Sequence, residues 1–291
     1  YISGSGTDSY NGNGGDDFIS GGAFPVIGLA GIGNDWVLGG SDNDVLSGDD
    51  GNDWIEGGQG GDAISGDVVG PAGVTLTFPG KDILIGNSGN DLLDGFDGAD
   101  IYVPGDGTDL NTGGLGFDWA TYFNDGQVGG VTEDLANFAP APGLVLANLA
   151  DQFQEIEGLS GGDGDDTLSG SSVTALGGAV SNGLSAIDCS LITGLTPLLP
   201  STVTNCVWDA GDIIIGGAGS DVITGRNGND LIDGDAVLQT WISIPASWSI
   251  ANEAPGYVAV PFGRAYVSSM ARVRDYIATH LVTTDVISDL Q

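Results

Sequence analysis

GGAGSDVIT (Gly216–Thr224) runs without a gap into GRNGNDLID (Gly225–Asp233). Set one above the other, the two nonapeptides share glycine at the first and fourth places, aspartate at the sixth and isoleucine at the eighth. The same frame returns in GNGGDDFIS (Gly12–Ser20), GDDGNDWIE (Gly48–Glu56) and GNSGNDLLD (Gly86–Asp94). Working outward, Asp8, Asp17, Asp35, Asp44, Asp53 and Asp62 keep one nine-residue register, with a degenerate unit (Gly21–Leu29) between Asp17 and Asp35. Asp82, Asp91, Asp100, Asp109 and Asp118 keep a second, Asp166 stands alone, and Asp212, Asp221 and Asp230 keep a third. Of these 15 units, 13 carry Gly two places before the aspartate (Asp42 and Ala210 are the exceptions), and 14 carry an apolar residue two places after it (Asn111 is the exception).

Each position has a physical task. Glycine lets the backbone take positive φ and turn tightly, so that carbonyl oxygens point inward. The aspartate adds a charged oxygen at the end of that turn. The next three residues make a short strand, its middle side chain inward and its neighbours outward. One unit is half a turn of a coil, so units 18 residues apart stack on one side. Oxygens from two stacked turns then form a cage for a hard cation.

Composition agrees. Lys and Arg total 5 against 40 Asp and Glu, a formal charge of −35, and Gly numbers 53 of 291. That balance excludes the basic footprint of a nucleic-acid binder and repels anionic membranes. Hydrophobic residues make up 41%, too many for a disordered acidic tail. No apolar run reaches the ~18 residues of a membrane span, and no N-terminal signal peptide is evident. A compact chain with this charge requires counter-ions, and divalent metal is the natural one, so binding and folding are expected as one event.

These nonapeptides resemble the repeats-in-toxin (RTX) family, the hemolysin-type calcium-binding repeats. The resemblance implies an all-β parallel β-roll, a solenoid with calcium held by the repeat aspartates and backbone carbonyls, and export by type I secretion. The 15 aspartates named above are thus the expected metal ligands, for about 7 to 13 calcium ions depending on whether the roll continues beneath its insertions. The stretch from Asp118 to Gly170 (DWATY, GGVTEDL and IEGLSGGDGDDTLSG) is similar to a spacer common in such proteins.

The organisation expected is a roll over 1–121 with an insertion at 68–79, then a spacer at 122–157. A single repeat unit (158–171) follows, then an insertion (172–209), a second roll segment (210–235) and a C-terminal cap or secretion-signal region (236–291). The 172–209 insertion holds Cys189 and Cys206, which an oxidising compartment would join and a reducing one would leave as thiols. In the C-terminal region, Tyr266, Met270, Val273 and Ile277 have helical spacing and predict an amphipathic helix over Arg264–His280. Its three arginines would dock on the acidic roll.

The outward position just after each aspartate is apolar in 13 units, including Phe18, Trp36, Val45, Trp54, Ile83, Leu92, Ile101, Trp119, Ile213 and Val222. A contiguous apolar stripe needs a cover, supplied by the insertions or C-terminal region, or else by self-assembly, a surface protein or a glycan. Trp36 and Trp54, 18 residues apart, should stack. The sole histidine, His280, lies beside no nucleophile motif, so catalysis is not expected. The sequence reads as a non-catalytic extracellular surface, surface-layer, matrix or adhesion component. The alternative is the export and stabilising region of a secreted lipase, protease or peroxidase.

Overall fold

The computed structural model describes residues 6–67, 80–123, 129–137, 151–172, 182–189, 192–201, 203, 205–208, 211–245, 258–260, 264–267 and 285–290. Described strands alternate between two parallel sheets. One sheet holds nine strands in the order β2 (Phe18–Ser20), β4 (Trp36–Gly40), β6 (Trp54–Gln59), β8 (Ile83–Gly89), β10 (Ile101–Gly107), β12 (Trp119–Thr121), β15 (Gly158–Ser160), β18 (Ile213–Ile215) and β20 (Leu231–Asp233). The other holds seven: β1 (Asp8–Gly14), β3 (Val26–Ile32), β5 (Val45–Ser47), β7 (Ala63–Ser65), β9 (Leu92–Asp97), β11 (Leu110–Leu115) and β14 (Gln152–Gln154). A three-stranded parallel sheet of β13 (Thr132–Asp134), β16 (Thr167–Ser169) and β19 (Val222–Thr224) accompanies the C-terminal coils. This is the parallel β-roll that the repeat predicts.

The 18-residue step is visible in the pairing: Phe18 lies opposite Trp36, Trp36 opposite Trp54, Ile83 opposite Ile101 and Leu92 opposite Leu110. The insertions do not break it. Trp54 pairs directly with Ile83, Trp119 with Gly158 and Gly158 with Ile213. Even the degenerate unit takes part, since β3 supplies Val26 and Ile27 to the ladder.

Between the sheets lies a narrow core, one side chain deep per strand. Ile19, Val37, Leu46, Ile55, Ile64, Leu84, Leu93, Tyr102, Phe153, Leu159, Leu168 and Ile214 fill it. Each such side chain removed from water stabilises the coil by about 1.5–3 kcal/mol. The degenerate unit places Gly28 in this column, and the side chains of Leu46, Ile19 and Val37 close in around it.

A second cluster forms outside the nine-stranded sheet. Phe18, Trp36, Trp54, Ile83, Ile101, Trp119 and Ile213 are buried there with Leu184, Cys189, Ile192, Leu195, Leu199 and Trp208 from the last insertion, and with Ala236 and Leu238. Trp36 and Trp54 stack with ring centroids 6.0 Å apart. The apolar column is therefore not one stripe. Successive units face opposite sheets, and among the described residues the cover lies on the nine-stranded face. On the seven-stranded face Ile27, Val45 and Leu92 stay 42%, 50% and 44% exposed.

The cover contains two short helices, α1 (Ala186–Cys189) and α2 (Leu195–Leu198), and a disulfide joining Cys189 to Cys206 with Cα atoms 6.1 Å apart. An ion pair between Lys81 and Asp188 ties it to the roll. A five-stranded sheet orders β17 (Ile192–Thr193), β24 (Asp285–Leu290), β21 (Leu238–Pro245), β23 (Arg264–Val267) and β22 (Val258–Val260). This corrects the expected helix over Arg264–His280 at its start. Arg264–Val267 is a strand, antiparallel to both β21 and β22. Tyr and Val favour a pleated strand, and pairing on both edges outweighs the helical spacing. Residues 268–284 lie outside the described residues, as do 68–79 and most of 236–291.

Candidate metal centres

In the central coils the glycine two places before the aspartate sits where two coils touch closely. A Cβ on Gly51 would stand 1.5 Å from the carbonyl oxygen of Gly33, and one on Gly89 would stand 1.3 Å from that of Gly60. Both residues have positive φ, 139° and 147°, a region that L side chains rarely enter. The glycine requirement thus has two causes, the turn and the contact between layers.

The aspartates form two ladders. One carboxylate oxygen of each accepts the backbone N–H at the equivalent place in the preceding coil. Asp17 N–H donates to Asp35 Oδ1, Val26 to Asp44, Asp35 to Asp53, Asp44 to Asp62, Asp53 to Asp82, Asp62 to Asp91, Asp82 to Asp100, Asp91 to Asp109 and Asp100 to Asp118, all at 2.6 to 2.8 Å. The second oxygen behaves differently. Oδ2 of Asp35, Asp44, Asp53, Asp62, Asp82, Asp91, Asp100, Asp109 and Asp118 is buried and has no hydrogen-bond partner. Native interiors rarely leave such an atom unsatisfied without an ion or water to meet it.

The space beside these oxygens has the right lining. A Cβ on Gly12 would stand 2.4 Å from Asp17 Oδ2 and 2.3 Å from the Ala30 carbonyl oxygen. One on Gly39 would stand 2.4 Å from Asp44 Oδ2 and 2.4 Å from Gly57 O, and one on Gly86 2.5 Å from Asp91 Oδ2 and 2.3 Å from Pro104 O. Each glycine leaves open a point between a carboxylate oxygen and a carbonyl oxygen of the next coil. Calcium takes six to eight oxygens at about 2.3–2.6 Å, and these cradles fit that demand. Among the described residues no three His, Cys, Asp or Glu side chains converge. A hard ion here would be served by single carboxylates with main-chain carbonyls.

The electrostatics of the carboxylate ladder by itself are unfavourable. Burial, opposed by the N–H from the preceding coil and reinforced by neighbouring carboxylates, pushes Asp35 and Asp62 up to about 7. Asp100 is pushed up to about 8, again chiefly by burial. Asp82 and Asp118 are raised well above the ordinary carboxylate value by burial and then by their neighbour Asp100. A divalent cation reverses this by favouring the ionised form.

The remaining expected ligands are placed as follows. Asp166 and Asp212 are buried, with both carboxylate oxygens hydrogen-bonded. Asp8, Asp17, Asp221 and Asp230 lie in the end coils and are half-buried. Sequence reading missed two members of the ladder. Asp151 Oδ1 accepts from Asp109 N–H at 2.8 Å, and Glu157 Oε2 from Asp118 N–H at 3.1 Å. Their signal was the apolar residue two places on, Phe153 and Leu159, without the preceding glycine. A second, exposed ladder was also missed. Asn34 Oδ1 accepts from Asn52 N–H, Asn43 Oδ1 from Gly61 N–H and Asn90 Oδ1 from Thr108 N–H, which explains the Asn that so often precedes the repeat aspartate.

The family model described as RTX calcium-binding nonapeptide repeat (4 copies) matches residues 2–23, 29–64, 77–110, 159–172 and 209–236. No curated protein and no solved structure gives a match to the chain. The matched segments contain 14 of the 15 aspartates of the nine-residue register and break off at the three insertions, with Asp118 alone lying outside them. Stacked coils, oxygen-lined cradles and matched repeats describe one thing: the chain is an RTX calcium-binding repeat protein.

Proposed function

We propose that the chain is a secreted, non-catalytic module that folds on calcium outside the cell and serves as a surface, surface-layer, matrix or adhesion component. The observation that carries the calcium-folding part is the row of nine buried carboxylate oxygens without partners. In its ionised form such a row is tolerable only with cations between the coils, and extracellular calcium is abundant enough to supply them. The repeat aspartates other than Asp166 and Asp212, whose two oxygens already carry donors, are the proposed ligands, together with the carbonyls of the facing turns. Among the described residues no helix is long and apolar enough to cross a membrane.

The surface role is supported by the uncovered face. Ile27, Val45, Ala63, Leu92 and Leu110 stand opposite one another on successive strands β3, β5, β7, β9 and β11. They form an apolar row of the kind that marks contact with another protein or a second copy.

Circular dichroism in chelator and then in calcium tests the reading. A gain of β-sheet on adding calcium is expected, and a spectrum indifferent to calcium overturns it. Light scattering with calcium tests the surface role, where a monomer at every concentration counts against self-assembly. A catalytic domain encoded upstream in the natural gene would move the assignment to the export region of a secreted enzyme.

A further inference from the structure

Burial does not distinguish the carboxylates of the ladder, but the supply of donors does. From Asp35 to Asp118, nine carboxylates each keep one oxygen without a partner. The next four are as deeply buried, with Asp151, Glu157, Asp166 and Asp212 only 3%, 4%, 1% and 1% exposed. Yet each of them has both oxygens hydrogen-bonded. The Tyr122 hydroxyl donates to Asp151 Oδ2 at 2.6 Å, beside the Asp109 N–H on Oδ1. Asn182 Nδ2 donates to Glu157 Oε1 at 3.1 Å, beside the Asp118 N–H on Oε2. Asp166 takes the N–H of Val131 at 2.7 Å and that of Gly162 at 2.9 Å. Asp212 takes the N–H of Ser171 at 2.6 Å and its hydroxyl at 3.0 Å.

We infer that the calcium-bearing ladder is interrupted after Asp118, and that the layers anchored by Asp151, Glu157, Asp166 and Asp212 form a metal-free junction closed by donors of the chain itself. This rests on the calcium reading proposed above. A donor aimed at a carboxylate oxygen occupies the direction from which a cation would approach and stabilises the charge in its place. Tyr122, Val131 and Asn182 come from the spacer and the last insertion, and Ser171 directly precedes that insertion. These segments therefore do more than loop out; they bring the replacement donors to the roll.

The chain also places a fixed cation at this junction. Arg226 donates to both oxygens of Asp134 and, at 2.9 Å, to the carbonyl of Gly170. Gly170 lines the cradle of Asp212: a Cβ there would stand 2.6 Å from Asp212 Oδ2 and 2.6 Å from Gly225 O. A guanidinium thus holds the main chain of the glycine that lines this cradle.

Two measurements on the full chain test the inference. Anomalous scattering from crystals grown in calcium should place ions beside the carboxylates from Asp35 to Asp118, and none in coordination with Asp151, Glu157, Asp166 or Asp212. Native mass spectrometry should count at least one ion fewer for Asp53→Asn, and the wild-type number for Asp151→Asn and Asp166→Asn. Ions at the junction, or a reduced count in a folded Asp151→Asn or Asp166→Asn chain, overturn the inference and leave the calcium reading standing. A wild-type chain that binds no calcium overturns both. Should a variant fail to fold, the wild-type crystal decides alone.

Discussion

At Gly89 the backbone takes a φ of 147° and lies directly on the carbonyl of Gly60 in the coil before it. Gly89→Ala is expected to cost roughly 1–3 kcal/mol from the φ alone, and more from the forced separation of two layers, read as a lower melting temperature in saturating calcium. A different outcome is expected at the neighbouring carboxylate. Asp91 Oδ1 accepts the Asp62 N–H of the preceding coil, and its Oδ2 is left for a cation. Asp91→Asn keeps the acceptor for that N–H and removes the charge, so the calcium midpoint of folding should rise by about tenfold or more, an effect of at least about 1.4 kcal/mol. An unchanged midpoint would remove Asp91 from the set of ligands. The repeat aspartates and glycines were legible because their period is short and local. Asp151 and Glu157 were not, because the glycine that marks a unit is missing and only their place in a stacked coil identifies them.

Among the elements, the cover on the nine-stranded sheet is the one whose form local sequence did not announce. Leu184, Ile192, Leu195 and Trp208 pack on Ile83, Ile101, Phe117, Trp119 and Ile213. The apolar column announced that something was needed, but a nine-residue reading merges two faces that only the 18-residue step separates. The cover is held by the Cys189–Cys206 disulfide, with a sequence separation of 17, and by Lys81 with Asp188. Closing a loop of that size contributes about 3 kcal/mol in the chain-entropy account. Reduction in calcium should therefore lower the stability of the cover and increase the binding of an apolar dye, while the repeat region keeps its β-sheet signal. A dye signal that does not respond to reductant would show that packing alone secures the cover. The C-terminal strand Arg264–Val267 shows the opposite lesson: Tyr266 begins a helical period and still joins a sheet, because β21 and β22 offer pairing on both of its edges.

Across the whole molecule, charge and folding are linked through pH. Asp35 and Asp62 have folded-state values of about 7, above the ordinary value of 3.8. A raised value means that the metal-free roll binds protons more tightly than the unfolded chain. The resulting stability is fully present below about pH 3.8 and is lost as pH rises through about 7. In chelator, acidification from pH 8 toward pH 4 should thus restore β-structure, followed by circular dichroism. In calcium the dependence inverts, because the ion requires the ionised carboxylates, and affinity should rise as pH increases from about 4 to about 8. Magnesium, which demands a tighter octahedron and sheds water reluctantly, is not expected to substitute. Much of this was readable from the net charge of −35 and the spacing of the acids. The division of the ladder into oxygens with and without donors was not, because it depends on which distant side chains arrive.

The direct pairing of Trp54 with Ile83, as though residues 68–79 were not there, makes this corner a point of tolerance. Neither sheet has any stake in the length of what leaves between them and returns. A foreign peptide spliced in at this position should be carried on the outside of an undisturbed rod, its height fixed by the number of coils beneath it. The molecule can be regarded as a graduated post, with a mounting bracket wherever its repetition is interrupted.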